Sequence, residues 1–227
     1  MQNDIFLSII VADYDGVVDD TQIKRCLDSL FQQTLNLFEI ILVHDGPRSR
    51  PDPLLNYTEN HEVKCQSLCT EIRHNKWGHH SRDLGLQYAS GQYVMFTNGD
   101  NIHYSDLVEN LFIEANTPRA PLNLNNGLIL NRPDILIFGV WMVGSYVIGS
   151  TFVRLNKADQ QIRFPLWGFP PEVNKIDCMQ FVMLLELWRS EGGWSIKDRA
   201  DADGVLYARF SKKYGVRYIP KLLGEHW

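Results

Sequence analysis

Cysteine is scarce in this chain, and its four residues (Cys26, Cys65, Cys69 and Cys178) lay out no disulfide framework. Cys65 and Cys69 taken with His61 and His74 match no familiar zinc-finger spacing, so free, buried thiols and a reducing, cytoplasmic compartment are expected. Long apolar runs are also missing. The best candidate, residues 135–148, is short and broken by Gly139 and Gly144, so no membrane span is expected. Basic residues are outnumbered, giving a formal net charge of -5, which argues against a nucleic-acid partner. A single nucleotide stays compatible with that charge, because a local site and a metal can hold it. Gln2-Asn3-Asp4 brings neither a basic region nor a cleavage-site pattern, so no signal peptide is expected. Repeats, low-complexity tracts and linkers are absent as well, and 227 residues suffice for one large core.

What is present is a strand–helix alternation. Ile5 to Ala12 is a continuous apolar run, as in a strand buried on both faces. Asp19 or Asp20 can cap a helix carrying Ile23, Leu27, Leu30 and Phe31 at helical spacing. Phe38 to Val43 is a second strand, which completes a βαβ unit. The polar stretch Pro47 to Pro53 reads as a mobile loop. A third strand is expected at Cys69 to Ile72, a helix from His80 to Ala89 ended by Gly91, and a strand from Tyr93 to Phe96. Ser105 is expected to cap a helix running to Ala115.

After that the pattern loosens. Pro118 to Pro133 reads as a connection and Ile135 to Val153 as strand broken by glycines. Asp203 to Tyr214 reads as helix, and Val216 to Ile219 as a last short strand. The expected fold is α/β, with a mostly parallel, Rossmann-like central sheet flanked by helices and a less regular C-terminal half. One domain, 1–227, is expected.

The most informative stretch is the end of the Tyr93 strand, at Asn98-Gly99-Asp100-Asn101. An apolar strand here delivers a carboxylate and two amides to the carboxyl edge of the sheet, where open α/β sheets place ligands. Oxygen donors there suit a hard divalent cation carrying phosphate. The same four residues also suit a turn or a helix cap.

Further blocks carry a family resemblance. Ser8-Ile9-Ile10-Val11-Ala12-Asp13-Tyr14 resembles the opening strand of the GT-A glycosyltransferases, specifically the inverting family 2. Cys26 to Thr34 resembles its first helix, Glu39 to Gly46 its second strand with an acidic–glycine ending, and Arg82-Asp83-Leu84-Gly85-Leu86 the helix before the metal motif. Asn98-Gly99-Asp100 falls where that family has Asp-x-Asp. Gly192-Gly193-Trp194, Asp203 and His226 fall where it has a glycine turn, a catalytic acid and a metal-binding histidine. Two departures stand out: Asn98 replaces the first motif acid, and His44-Asp45 replaces a double acid.

The resemblance implies a GT-A fold, with a nucleotide-sugar-binding half (1–117) and an acceptor-binding half (118–227). It implies metal-dependent, inverting, hexosyltransferase-like transfer from a UDP- or TDP-linked sugar to a hydroxyl acceptor of unidentified kind. The cofactor would be Mn2+ or Mg2+, held by Asp100 and His226. Nucleotide contacts would come from Ala12, Asp13, Tyr14, Asp45, Arg82, Asn98 and Gly99, with Asp45 accepting from a pyrimidine imide. Asp203 would be the general base, with Asp201 and Asp198 as nearby competitors. Trp167, in a proline-rich stretch, would stack on the acceptor.

Two other readings compete. A catalytically inactive nucleotide-sugar-binding domain of the same fold fits the loss of charge at Asn98. A nucleotidyltransferase would want a basic glycine-rich loop after the first strand, and Asp13-Tyr14-Asp15-Gly16 is not one.

Overall fold

The computed structural model describes residues 5–57, 62–118, 132–148 and 151–227. In chain order the first half contains β1 (Leu7–Asp13), α1 (Asp20–Phe31), β2 (Phe38–His44), β3 (Lys64–Cys69), α2 (His79–Tyr88), β4 (Tyr93–Asn98), β5 (Ile102–His103) and α3 (Leu107–Asn116). The second half contains β6 (Ile135–Val143), β7 (Ser145–Ile148), β8 (Thr151–Arg154), β9 (Arg163–Leu166), β10 (Phe181–Leu184), α4 (Leu185–Ser190), α5 (Ala202–Lys213) and β11 (Val216–His226).

One sheet runs through both halves in the order β3-β2-β1-β4-β10-β6-β11-β5, with β9 beside β6. Strands β1 to β4 are mutually parallel, as are β6 and β11. Strand β10 runs antiparallel to both of its neighbours, β4 and β6. The unbroken apolar runs of β1 and β2 are explained by burial on both faces. Helices α1 and α3 cover one face through Ile23, Leu27, Leu30, Leu107 and Leu111. Helices α2, α4 and α5 cover the other through Leu86, Trp188, Leu206 and Phe210.

Local chemistry sets the boundaries. Asp19 and Gln22 form a reciprocal capping box at the start of α1, with bonds of 2.8 and 2.9 Å. Helix α2 lies unusually close to β1, since a Cβ on Gly85 would sit 2.5 Å from Ile10 Cγ2. Gly144, at φ +66°, divides the long second-half strand into β6 and β7.

Several sequence expectations shift. The third strand is Lys64–Cys69 rather than Cys69 to Ile72. It is an edge strand with mixed exposure, so it lacks the apolar signature used to find it. Ser105 does not cap α3: that helix starts at Leu107 without a side-chain cap bond, and the Ser105 carbonyl accepts from the Thr34 N–H instead. The last strand runs on to His226, because it pairs with β6 and then also with β5. Register breaks after Ile219 and Leu222 accommodate Pro220, which has no N–H to donate. Cys26 and Cys178 are buried, but Cys65 is half-buried and Cys69 exposed, so only two of the four thiols are sequestered. Most of the Pro118 to Pro133 connection, and His61, lie outside the described residues.

Candidate active site

Strand direction assembles the site. Parallel β1, β2 and β4 bring their C-terminal ends to one edge, and antiparallel β10 brings its N-terminal flank to the same edge. Asp13, Asp45, Asp100 and Asp177 therefore converge from four neighbouring segments. The order β2-β1-β4 places the change of winding direction between β1 and β4, where doubly wound sheets open a crevice.

A cleft of about 470 Å³ lies beside that edge, lined among others by Tyr14, Asp45, Arg73, Asn75, Trp77 and Gly78. This is within the size range of small-ligand pockets. Asn75 and Trp77 both hold left-handed backbone angles, φ 54° and 51°, a strain that concentrates at ligand clamps. Asp45 is buried and ties this loop down. Its carboxylate accepts from the backbone N–H of His74 (3.0 Å) and Asn75 (2.8 Å), and from Thr70 Oγ1 (3.3 Å). A carboxylate has about four acceptor sites, so one is left over.

Asp13 is paired within the protein. Its fully buried carboxylate is clasped by Arg48 (2.9 Å) and Arg50 (2.6 Å), and Arg50 also reaches Asp20 (2.8 Å). The loop expected to be mobile is thus pinned back across the start of α1. Ala12 and Gly99 are both buried and bonded to each other, Gly99 N–H to Ala12 C=O at 2.9 Å. A Cβ on Gly99 would lie 2.7 Å from Ile23 Cδ1, so the motif glycine is fixed by packing.

Arg82 is buried, and its guanidinium is used within the protein. It donates to Asn98 Oδ1 (2.6 Å) and to the Trp77 carbonyl (2.8 Å), contacts His79 Nδ1 (3.0 Å) and lies over the Trp194 ring. The amide that replaces the first motif acid therefore spends its oxygen on Arg82. Trp167 lies exposed just beyond β9, with one edge of its ring against Gly139.

The remaining predicted residues do gather, and the structure adds one that sequence reasoning missed, Asp177. Asp177 and Asp203 stand close together with Cys178 between them in chain and space, their ligand atoms all within 4.8 Å of one another. His226 Nδ1 is 3.2 Å from Asp177 Oδ2. Burial opposes charge on His226, but Asp177, Asp100 and Asp203 outweigh it and raise its pKa to about 9. Burial also works against the Asp177 carboxylate, yet His226, the Met179 N–H and Arg82 hold its pKa below the ordinary value. Burial and then Asp177 push Asp203 up to about 7, against Arg82 and the Gly204 N–H. Burial raises Asp100 too, with His226 opposing. Its Oδ1 is buried and has no hydrogen-bond partner among the described residues. Tyr14 links the cluster to the cleft: burial raises its phenol pKa, and both Asp100 and Asp45 add to the shift.

A signal for Asp177 did exist. It immediately precedes the apolar run ending at Leu184, and an antiparallel strand offers its N-terminal flank where parallel neighbours offer their C-terminal ends.

Three buried or half-buried carboxylates, one with an orphaned oxygen, plus an imidazole fit a divalent cation of the oxygen-preferring kind. Asp100, Asp177 and His226 are the residues that would hold it, with Asp203 beside them.

A mostly parallel sheet flanked by helices, with a crevice at its strand ends, is the GT-A glycosyltransferase fold. The solved structures agree on that fold. S. aureus TarS (residues 1–349) is 15% identical, with a TM-score of 0.67, covering 97% of this chain and 60% of that one. The mannosyltransferase PcManGT from Pyrobaculum calidifontis, in complex with GDP-Man and Mn2+, is 14% identical with a TM-score of 0.64, covering 99% and 57%. Residues 8–122 match the family described as Glycosyl transferase family 2, and the chain belongs to that family. Among curated relatives, the uncharacterized glycosyltransferase EpsJ of Bacillus subtilis is 33% identical over 109 residues, 48% of this chain and 30% of EpsJ. Glycosyltransferase GlyA of Streptococcus pneumoniae is 26% identical over 170 residues, 71% of this chain and 24% of GlyA. The chain thus spans about a quarter to a third of the length of these two relatives.

Proposed function

We propose that this chain transfers a sugar from a nucleotide-sugar donor to a hydroxyl acceptor, with a divalent metal and with inversion at the anomeric carbon. The observation that carries this reading is the gathering of Asp100, Asp177, Asp203 and His226 beside a cleft floored by Asp45 and Tyr14. A bound Mn2+ or Mg2+ would neutralise the diphosphate as the leaving group takes up charge. Asp45 uses its spare acceptor site for the imide N–H of uracil or thymine, which favours a UDP- or TDP-linked donor. Tyr14 and Trp77 flank the base.

Asp203 acts as general base. A carboxyl with a pKa of about 7 is half-ionised near neutrality and well matched to taking the acceptor's proton. Asp201 is the weaker choice, because Arg199 grips both of its oxygens (2.6 and 2.7 Å). A single carboxylate base implies one in-line displacement, hence inversion. Residues 1–117 hold the donor and 118–227 the acceptor, with Trp167 offering an exposed ring to it. The relatives' own ligands agree in chemical class: TarS has been solved with UDP-GlcNAc, and PcManGT with GDP-Man and Mn2+. Among the described residues no helix is long and apolar enough to cross a membrane, and all four cysteines are free, as a reducing compartment would keep them.

The test is a thermal-shift screen of UDP, TDP and GDP with and without Mn2+. A metal-dependent shift selective for the pyrimidine nucleotides, lost in Asp100→Ala, is expected. Equal shifts without metal, or retention in that variant, would refute the cation's role.

A further inference from the structure

Cys178 is the one group in the acid cluster that the proposed transfer leaves without a task. It is 2% exposed, and its Sγ lies 3.6 Å from Asp177 Oδ1 and 3.5 Å from Arg82 Nη2. Its main chain is held as well: the Tyr207 hydroxyl donates to the Cys178 carbonyl at 3.0 Å, and Asp177 caps the turn Cys178–Gln180 through the Met179 N–H at 3.0 Å. The sulfur is therefore fixed in place. Its ligand atom and those of Asp177 and Asp203 lie within 4.8 Å of one another. His226 stands against Asp177, and Asp100, whose Oδ1 is buried without a partner among the described residues, feels the charges of both.

A set of one sulfur and two carboxylates with an imidazole nearby differs from an all-oxygen cage. Hard cations gain little from a thiol, whereas Zn2+ and Cd2+ bind thiolate readily and accept mixed sulfur, oxygen and nitrogen donors with an open fourth position. We infer that Cys178 makes this a thiol-bearing cation site, at which Zn2+ or Cd2+ binds through Cys178 Sγ, Asp177 and Asp203 and competes with the Mn2+ or Mg2+ of the transfer reaction. The inference rests on the cation role proposed above for the same cluster. On binding, a metal–sulfur bond replaces the S–H bond and one proton leaves to solvent for each ion taken up. Burial, and then Asp177, push the Cys178 thiol well above its ordinary range with Arg82 opposing, so it is the bound cation that must displace the proton. Bound Zn2+ would occupy the Asp203 carboxylate, so it should inhibit transfer.

The experiment titrates metal-free protein carrying Cys65→Ser and Cys69→Ser, which removes the two accessible thiols, with Cd2+. The thiolate-to-cadmium charge-transfer band in the ultraviolet is followed. One thiolate per ion is expected, with the band displaced by Zn2+ at comparable concentration and by Mg2+ only in large excess. Adding Cys178→Ser should abolish the band. Asp203→Asn, which keeps the thiol, should weaken Cd2+ binding by about tenfold or more. A band that survives Cys178→Ser, or that never forms in the Cys65/Cys69 background, overturns the inference. Should Cys178→Ser fail to fold by circular dichroism, the Asp203→Asn titration decides: unchanged Cd2+ affinity overturns it. Mn2+ binding, followed by loss of the free-ion electron paramagnetic resonance signal, separates the two readings. If Mn2+ binds and Cd2+ draws no thiolate band, only this inference fails; if neither ion binds, the cation role fails with it.

Discussion

His103 should make the fold acid-sensitive in a way that can be measured residue by residue. It sits in β5, 2% exposed, with Nε2 3.2 Å from Thr97 Oγ1, and its Nδ1 is buried without a partner among the described residues. Burial drives its pKa from about 6.5 down to about 3. A histidine whose folded pKa is depressed contributes full stability above its unfolded value, and that stability is lost as pH falls below it. At about pH 5, the unfolded chain binds this proton and the folded chain does not, a loss of about 2 kcal/mol relative to about pH 8.

Other groups titrate in the same window; Asp203, raised to about 7, acts in the opposite direction. The informative quantity is therefore the difference between wild type and His103→Gln, read from urea unfolding at a series of pH values. A packing change in the variant shifts its curve by a constant. The missing proton uptake should make the variant gain about 2 kcal/mol on wild type between about pH 8 and pH 5. Two curves that stay parallel over that range would show that His103 is not held neutral by burial. The site is involved as well, because His103 pairs with Gly224 across β5 and β11, two residues from His226.

Asp203→Asn should lower transfer by about 10² to 10⁴-fold while UDP binding persists, measured as turnover against calorimetric affinity; undiminished turnover would move the base elsewhere. Gly99→Ala should destabilise the fold by about 1–3 kcal/mol, because its Cβ meets Ile23 at 2.7 Å, and thermal melting will register it. Trp227→Ala removes the ring that Arg25 stacks on at 4.1 Å and a 3.1 Å bond to Glu225. It should cost about 1 kcal/mol of stability and weaken Mn2+ binding by freeing His226, read by melting and by metal titration.

Strand and helix identities in the first half were legible because each element there has an unmixed environment. Strands β1, β2 and β4 are buried on both faces, and α1 has a strong cap and one apolar stripe. Strand β3 was displaced because an edge strand has no such signature. In the site, Asp100, Asp203 and His226 could be nominated because each follows a block that resembles the family. Asp177 was missed because the reversed direction of β10, which carries its N-terminal flank to the site, cannot be read from composition. Arg82 and Asp13 show a different limit. Sequence marks them as charged groups near the site; only packing reveals that Arg82 is used by Asn98, and Asp13 by Arg48 and Arg50.

The reversed strand β10 has a consequence for assembly. Of the groups in the proposed site, Asp100 comes from residues before the long central connection, and Asp177, Asp203 and His226 come from after it; β10 brings the two sets together by joining β6 and β11 to β4. The proposed cation site would have no existence in either segment alone. On that proposal, ion affinity would report whether the carboxy-terminal strands have docked, and ion uptake would in turn latch that docking.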